Sequence, residues 1–326
     1  MDTRRWRTGI TVGLGFAVSG TFLWLALRQV DSDSLAVAFS SVDFPLVLVS
    51  AAALAVGLIL RAVRWRVIAG APASAHSHFS RATNIGVLSN MLLPGRAGDF
   101  VRIFTLARLS GARLAGAVAS AVIDRLIDVF VLIASALALY FFLPLGAVLD
   151  RWLIVMVSGG VIAMAGLLVF ARSMGAWQTV FVRFAGRWLQ KWNLRPEVFL
   201  AELRAEIKNL LSGWLSVELV LVAMSILFAD FAAISALLWA FHLTLPFVAA
   251  LLLWVFLAAG SALPSAPGYV GVYQVAAVWA LSFFAVPASS AVAIAVVLQV
   301  TMLIVAFLMT GPSFFGFLKS ALAARN

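Results

Sequence analysis

Apolar runs of membrane-spanning length recur from one end of the chain to the other. They predict helical spans near 8–27, 44–60, 116–143, 152–171, 213–241, 247–263, 269–285 and 288–310. The pattern is that of an all-α, polytopic helical membrane protein. No intervening stretch is long enough for a folded soluble domain, so residues 1–326 are expected to form a single integral membrane domain. One apolar stretch does not fit. Ala82–Leu93 is interrupted by Asn84 and Asn90 and stopped by Pro94-Gly95, and it is too short to cross a bilayer. As a span it would throw Arg96, Arg102, Arg108 and Arg113 to the far side. A re-entrant hairpin keeps them on the near side. Its irregular backbone would have to be buried in protein or line a wet cavity, as at transporter sites.

A second interruption echoes the first. Leu93-Pro94 and Gly98 recur as Leu263-Pro264 and Gly268 at a constant offset of 170 residues. Either two related halves place broken helices around a central site, or Pro and Gly end helices at two unrelated places.

Composition agrees with the pattern: the chain is 64% hydrophobic with a mean hydropathy of +1.08. The net charge of +10 is mostly topological. With the N-terminus inside, all of the 23 Lys and Arg residues except Arg28, Arg125 and Arg151 fall on the cytoplasmic side, while Asp31, Asp33, Asp43 and Asp150 fall outside. The expected location is therefore a bacterial inner (cytoplasmic) membrane. The basic side faces anionic lipid, and no nucleic-acid partner is implied. Thr8–Leu27 follows Arg4, Arg5 and Arg7 as a signal peptide would. It lacks a small-residue cleavage site and reads as a retained anchor. There are no cysteines, and His76 and His78 lack metal-ligand spacing, so neither a cofactor nor a metal is expected.

The segment 172–211 carries Arg183, Arg187, Lys191, Arg195, Arg204 and Lys208 among Trp177, Trp188 and Trp192. It reads as basic interfacial helices, with Glu202–Glu206 and Arg204–Lys208 on solvated faces. Anionic-lipid binding and simple surface anchoring both fit it.

Two places carry candidate chemistry. The run Ala117–Leu143 holds Asp124, Arg125 and Asp128. Three charges at membrane depth cost roughly 7–10 kcal/mol, against roughly 4–9 kcal/mol returned by the aliphatic and Phe side chains of that run. Partners elsewhere in the protein are therefore required, and Arg64, Arg96 and Arg102 are the candidates. Arg125 can pair in part with Asp128 at i, i+3. A helix-locking charge network and a lipid head-group or proton-coupling site both satisfy the pattern. In Asn90–Arg102, Gly95 and Gly98 could free backbone amides for an anion, Asp99 could cap the next helix, and Arg96 and Arg102 could clamp a phosphate. The alternative is a capped turn whose arginines obey the positive-inside rule. Asp230 is a further isolated acid within 213–241.

The order Arg61-x-x-Arg64-Trp65, Asn90-x-x-x-Pro94-Gly95-Arg96-x-Gly98-Asp99-x-x-Arg102, Asp124-Arg125-x-x-Asp128 and Pro264-Ser-x-Pro267-Gly268-x-x-Gly271-x-x-Gln274 resembles the lysylphosphatidylglycerol synthase transmembrane-region family, also called flippase-like. In the namesake proteins this membrane part is joined to a cytosolic aminoacyl-transferase domain and moves aminoacylated lipid across the bilayer. The resemblance therefore implies that the chain is a stand-alone member, with binding residues Arg61, Arg64, Asn90, Arg96, Asp99, Arg102, Asp124, Arg125, Asp128, Pro264, Pro267, Gly268 and Gln274. Two positions depart from the family's pattern: Asp124 stands where Glu is usual, and Gln274 where Glu is frequent. Gln274 cannot carry a proton. No nucleophile–base pair or phosphate-loop motif is present, so no catalytic residue is expected.

The expected function is binding and translocation of a phospholipid, hopanoid-type or polyprenyl-linked lipid. The expected partners are membrane lipids, anionic or lipid-linked. The alternatives are an accessory scaffold for a lipid-modifying enzyme or glycosyltransferase, and a membrane enzyme acting on lipid-linked sugars.

Overall fold

A computed structural model describes residues 3–28, 30–94, 96–142, 154, 158–159, 162, 195–210, 213–263 and 265–311. Among these, regular structure is entirely helical. The helices are α1 (Thr3–Leu27), α2 (Ser32–Ser40), α3 (Phe44–Ile68), α4 (His76–Leu92), α5 (Ala97–Ser110), α6 (Leu114–Phe142), α7 (Pro196–Leu210), α8 (Gly213–Ala240), α9 (Phe247–Ser261), α10 (Val272–Ser282) and α11 (Ala288–Thr310). Short 3-10 turns occur at Ala73–Ala75 and Pro267–Tyr269. The predicted span at 152–171, nearly all of it, and the basic stretch 172–194 lie outside the described residues.

Among the described residues, three helices are long and apolar enough to cross a membrane: α3, Val217–Ala240 within α8, and α11. Large apolar side chains point outward as well as inward. Phe141, Phe228 and Leu308 are 75%, 72% and 71% exposed. A water-soluble fold would not present such faces, whereas a bilayer covers them. The chain is a multi-pass helical membrane protein.

Helix ends follow local chemistry. Asp31 caps α2 by accepting from the Ser34 amide at 2.9 Å. Gly311, in the left-handed region, closes α11, with its N–H on the Phe307 carbonyl.

The apolar runs at 247–263 and 269–285 are not full spans. They form α9 and α10, of 15 and 11 residues. At 1.5 Å per residue neither reaches across a hydrocarbon core of about 30 Å. The cause is local: Gly268, Tyr269 and Gly271 all take positive φ (69°, 60° and 84°), which no helix continues through. Ala82–Leu92 likewise belongs to a longer, polar helix, the 17-residue α4, followed after a short tip by the 14-residue α5.

The chain divides into two compact units. The first comprises Met1–Leu58, Thr83–Arg102 and Phe228–Asn326. Within it α10 packs against α1, α9 and α11, and α2 packs on α11. The turn after α2 is tied to the end of α8 by Asp43 N–H on the Ala240 carbonyl and by the His242 ring on the Ser41 carbonyl, both at 2.9 Å.

The second unit comprises Ile59–Ala82 and Ile103–Leu227. One core there joins Trp65, Phe79, Ala82, Leu106, Ala117 and Ala121, with the Trp65 and Phe79 rings edge to face at 5.5 Å. Another core seats Phe199, Leu200 and Leu203 of α7 on Val67 and Ile68 of α3, Ala115, Ala119 and Ile123 of α6, and Leu219 of α8. Glu206, expected on a solvated face, is instead buried at 9% exposure. It falls on the stripe of α7 that faces this core, because a helix returns to the same face every three to four residues.

Candidate functional site

In the second unit, the end of α3 meets one face of α6. Ser120, Asp124 and Asp128 follow one another at four-residue spacing and so line up along α6. Trp65 Nε1–H donates to Ser120 Oγ at 3.0 Å. Arg64 Nε–H donates to Asp124 Oδ1 at 2.8 Å, and Arg64 Nη2 reaches both Asp124 Oδ1 at 2.8 Å and Asp128 Oδ1 at 2.6 Å. Arg125 Nη1 closes the chain on Asp128 Oδ2 at 3.0 Å.

These four side chains carry two positive and two negative charges and are graded in burial. The Arg64 and Asp124 side chains are 2% and 4% exposed, while Asp128 and Arg125 are 38% and 41% exposed. Of the three arginines that the sequence left as candidates, Arg64 is seen to compensate the acids. One forked guanidinium bridges two carboxylates, which a lysine could not do with the same geometry. Arg61 lies one turn before Arg64 on α3 and is half-buried.

In the first unit, two helix interruptions adjoin. The tip between α4 and α5 is held by Asn90, whose Oδ1 accepts from the Gly98 amide at 2.8 Å. The helices approach too closely there for side chains. A Cβ on Gly86 would lie 2.6 Å from Arg102 Cβ, and one on Gly98 would overlap the Gly86 carbonyl oxygen. Gly98 is thus a packing glycine. The amide that the sequence offered to an anion is taken by Asn90. Asp99 lies inside the first turn of α5, not at its cap, and 3.7 Å from Arg102 Nε; Arg102 is buried. Gly95 and Pro264 lie outside the described residues.

The second interruption, between α9 and α10, is held by two glutamines. Gly271 N–H donates to Gln274 Oε1 at 2.7 Å. Gln274 Nε2 donates to Gln299 Oε1 at 2.6 Å, and Gln299 Nε2 donates to the Gly268 carbonyl at 2.7 Å. Pro267 opens the 3-10 turn between them, and Tyr269 stacks on Tyr273 with ring centres 5.0 Å apart. Helix α1 seals the turn from outside: Ser19 Oγ accepts from the Ala266 amide at 2.7 Å, and a Cβ on Gly271 would overlap the Ser19 carbonyl.

The two interruptions touch. Arg96, at φ 56°, donates from Nη2 to Ser261 Oγ at 3.0 Å. The Met91 carbonyl oxygen lies 3.5 Å from where a Cβ on Gly268 would stand. Arg96 is half-buried, and its Nε has no hydrogen-bond partner among the described residues. A non-glycine residue held in the left-handed region at such a junction stores strain, which commonly marks a functional site. Elsewhere in this unit, Asp230 is buried on α8 and accepts from Trp254 Nε1 at 3.1 Å.

The structure therefore groups Arg64, Asp124, Arg125 and Asp128 in one unit. In the other it groups Asn90, Arg96, Gly268 and Gln274 around the paired tips. Sequence reasoning missed Gln299, Ser261 and Ser19. Gln299 could have been found as an uncompensated amide in the apolar run 288–310; Ser19 and Ser261 leave no such trace. Among the described residues, no group of three or more metal-ligating side chains occurs.

A family model described as the lysylphosphatidylglycerol synthase TM region matches residues 12–309. No curated protein and no solved structure matches the chain.

Proposed function

The chain belongs to the lysylphosphatidylglycerol synthase transmembrane-region family, and from that premise we propose that it binds a lipid or lipid-linked substrate by its head group and translocates it across the inner membrane. The N-terminus lies in the cytoplasm in this reading, and α4 and α5 form a re-entrant hairpin. No bond of the lipid is made or broken. The observation that carries the reading is the junction of two helix breaks around a half-buried, strained arginine. Interrupted membrane helices put peptide dipoles and backbone groups at depth, where a polar head group needs them.

Arg96 supplies the charge for a phosphate, with one nitrogen on Ser261 and another uncommitted. Asn90 and the Gln274–Gln299 pair hold the two tips in shape around it. The Arg64–Asp124–Asp128–Arg125 chain is internally neutral, so it acts first as a lock between α3 and α6.

Arg96→Gln keeps a hydrogen-bonding side chain and removes the charge. Native mass spectrometry of the purified protein should then show loss of co-purified anionic lipid, at unchanged thermal stability. Retention of lipid at the wild-type level would refute the role of Arg96.

A further inference from the structure

Helix α7 carries an acid where its packing calls for an apolar group. Its inward stripe runs Phe199, Leu200, Leu203, Glu206, and the first three pack on α3, α6 and α8. Glu206 is 9% exposed, and its Oε2 is buried without a hydrogen-bond partner among the described residues. Glu202, one turn earlier on the same helix, adds a like charge.

The described charged groups on the surrounding elements are placed as follows. Ahead of α6, Arg113 is 3.6 Å from Glu202. At the end of α3, Arg66 donates to the Ala71 carbonyl, and Arg64 is taken up by Asp124 and Asp128. Glu218 on α8 is half-buried, and Glu197 and Arg204 of α7 itself are exposed. Among the described side chains none supplies a cation to Glu206, so its ionised form would sit in this apolar seam uncompensated by them, whereas a neutral carboxyl is tolerated there.

We propose that α7 is a proton-operated clasp, docked on the ends of α3 and α6 while Glu206 is neutral and released when Glu206 ionises. Burial first, and the neighbouring Glu202 second, push the Glu206 carboxyl up from an ordinary 4.5 to about 8. Docked α7 therefore holds a proton that the released helix gives up. Docking is strongest below pH 4.5, weakens by up to about tenfold per pH unit between 4.5 and about 8, and is level above that. Release would bare Phe199, Leu200 and Leu203 beside the bilayer, so the protonation state of one side chain decides whether the outer surface of this unit is closed.

The chain has no cysteine, so introduced pairs can be labelled cleanly. Arg108→Cys and Ala205→Cys place spin labels at two exposed positions, and double electron–electron resonance on the full chain in lipid nanodiscs reads their separation. At pH 6 a single narrow distance is expected. Towards pH 9 a broad second population should grow in the otherwise wild-type protein. It should be absent in the Glu206→Gln and Glu206→Met backgrounds, where α7 carries no ionisable group at that position. Glu202→Gln should reduce the released fraction by removing the like charge. An unchanged distribution from pH 6 to pH 9 in the wild-type background would overturn the proposal. So would release of the same size in either Glu206 variant.

Discussion

Replacing Arg64 by Ala removes the centre of the charge chain on α6. Arg64 and Asp124 are both almost wholly buried, and the guanidinium makes three contacts of 2.6–2.8 Å to two carboxylates. Without it Asp124 loses a buried partner, a change that costs about 3–5 kcal/mol when one side of a buried pair is removed. Asp128 loses less, because Arg125 still holds its other oxygen. Arg125→Ala is the informative contrast. The Arg125–Asp128 pair is 41% and 38% exposed, and Asp128 keeps Arg64 when Arg125 is removed, so its loss should cost less than that of Arg64. The two arginines, alike in the sequence as intramembrane partners of acids, should therefore differ, with Arg64→Ala the more costly. Equilibrium unfolding of the purified protein in mixed micelles would measure both, and Arg64→Met with Asp124→Leu should recover much of the loss by removing the stranded charge. If the two single variants agree within about 0.5 kcal/mol, the graded-burial reasoning fails.

Other consequences follow from the tips. Gly98→Ala should destabilise by about 1–3 kcal/mol, since its Cβ meets the backbone oxygen of Gly86 and the Asn90 amide that holds the turn; the same unfolding measurement checks it. Gln299→Leu leaves the Gly268 carbonyl and the Gln274 amide without their partner, at about 1–3 kcal/mol, and hydrogen exchange should rise at 267–274 while α7 is unaffected.

What the sequence alone determined is what depends on local composition. Runs of some twenty apolar residues in α3, α8 and α11 are membrane helices in any arrangement, because lipid leaves backbone groups no other partner. The acids of α6 had to find a cation for the same reason, and Pro94, Gly95, Gly268 and Gly271 mark the interruptions through backbone geometry alone. The short lengths of α9 and α10 were less legible, because the apolar runs continue up to the break and hide where the helix stops.

Tertiary structure alone decided which partner each polar group takes. Arg64 meets Asp124, although 60 residues separate them. Gly98 serves helix packing and gives its amide to Asn90. Gln274 finds its partner on α11, and Glu206 turns inward. In a soluble helix the apolar stripe announces the buried face. A membrane helix is apolar on every side, so its sequence does not say which side faces protein and which faces lipid. Choice of partner is then set by packing between distant segments, which no local pattern records.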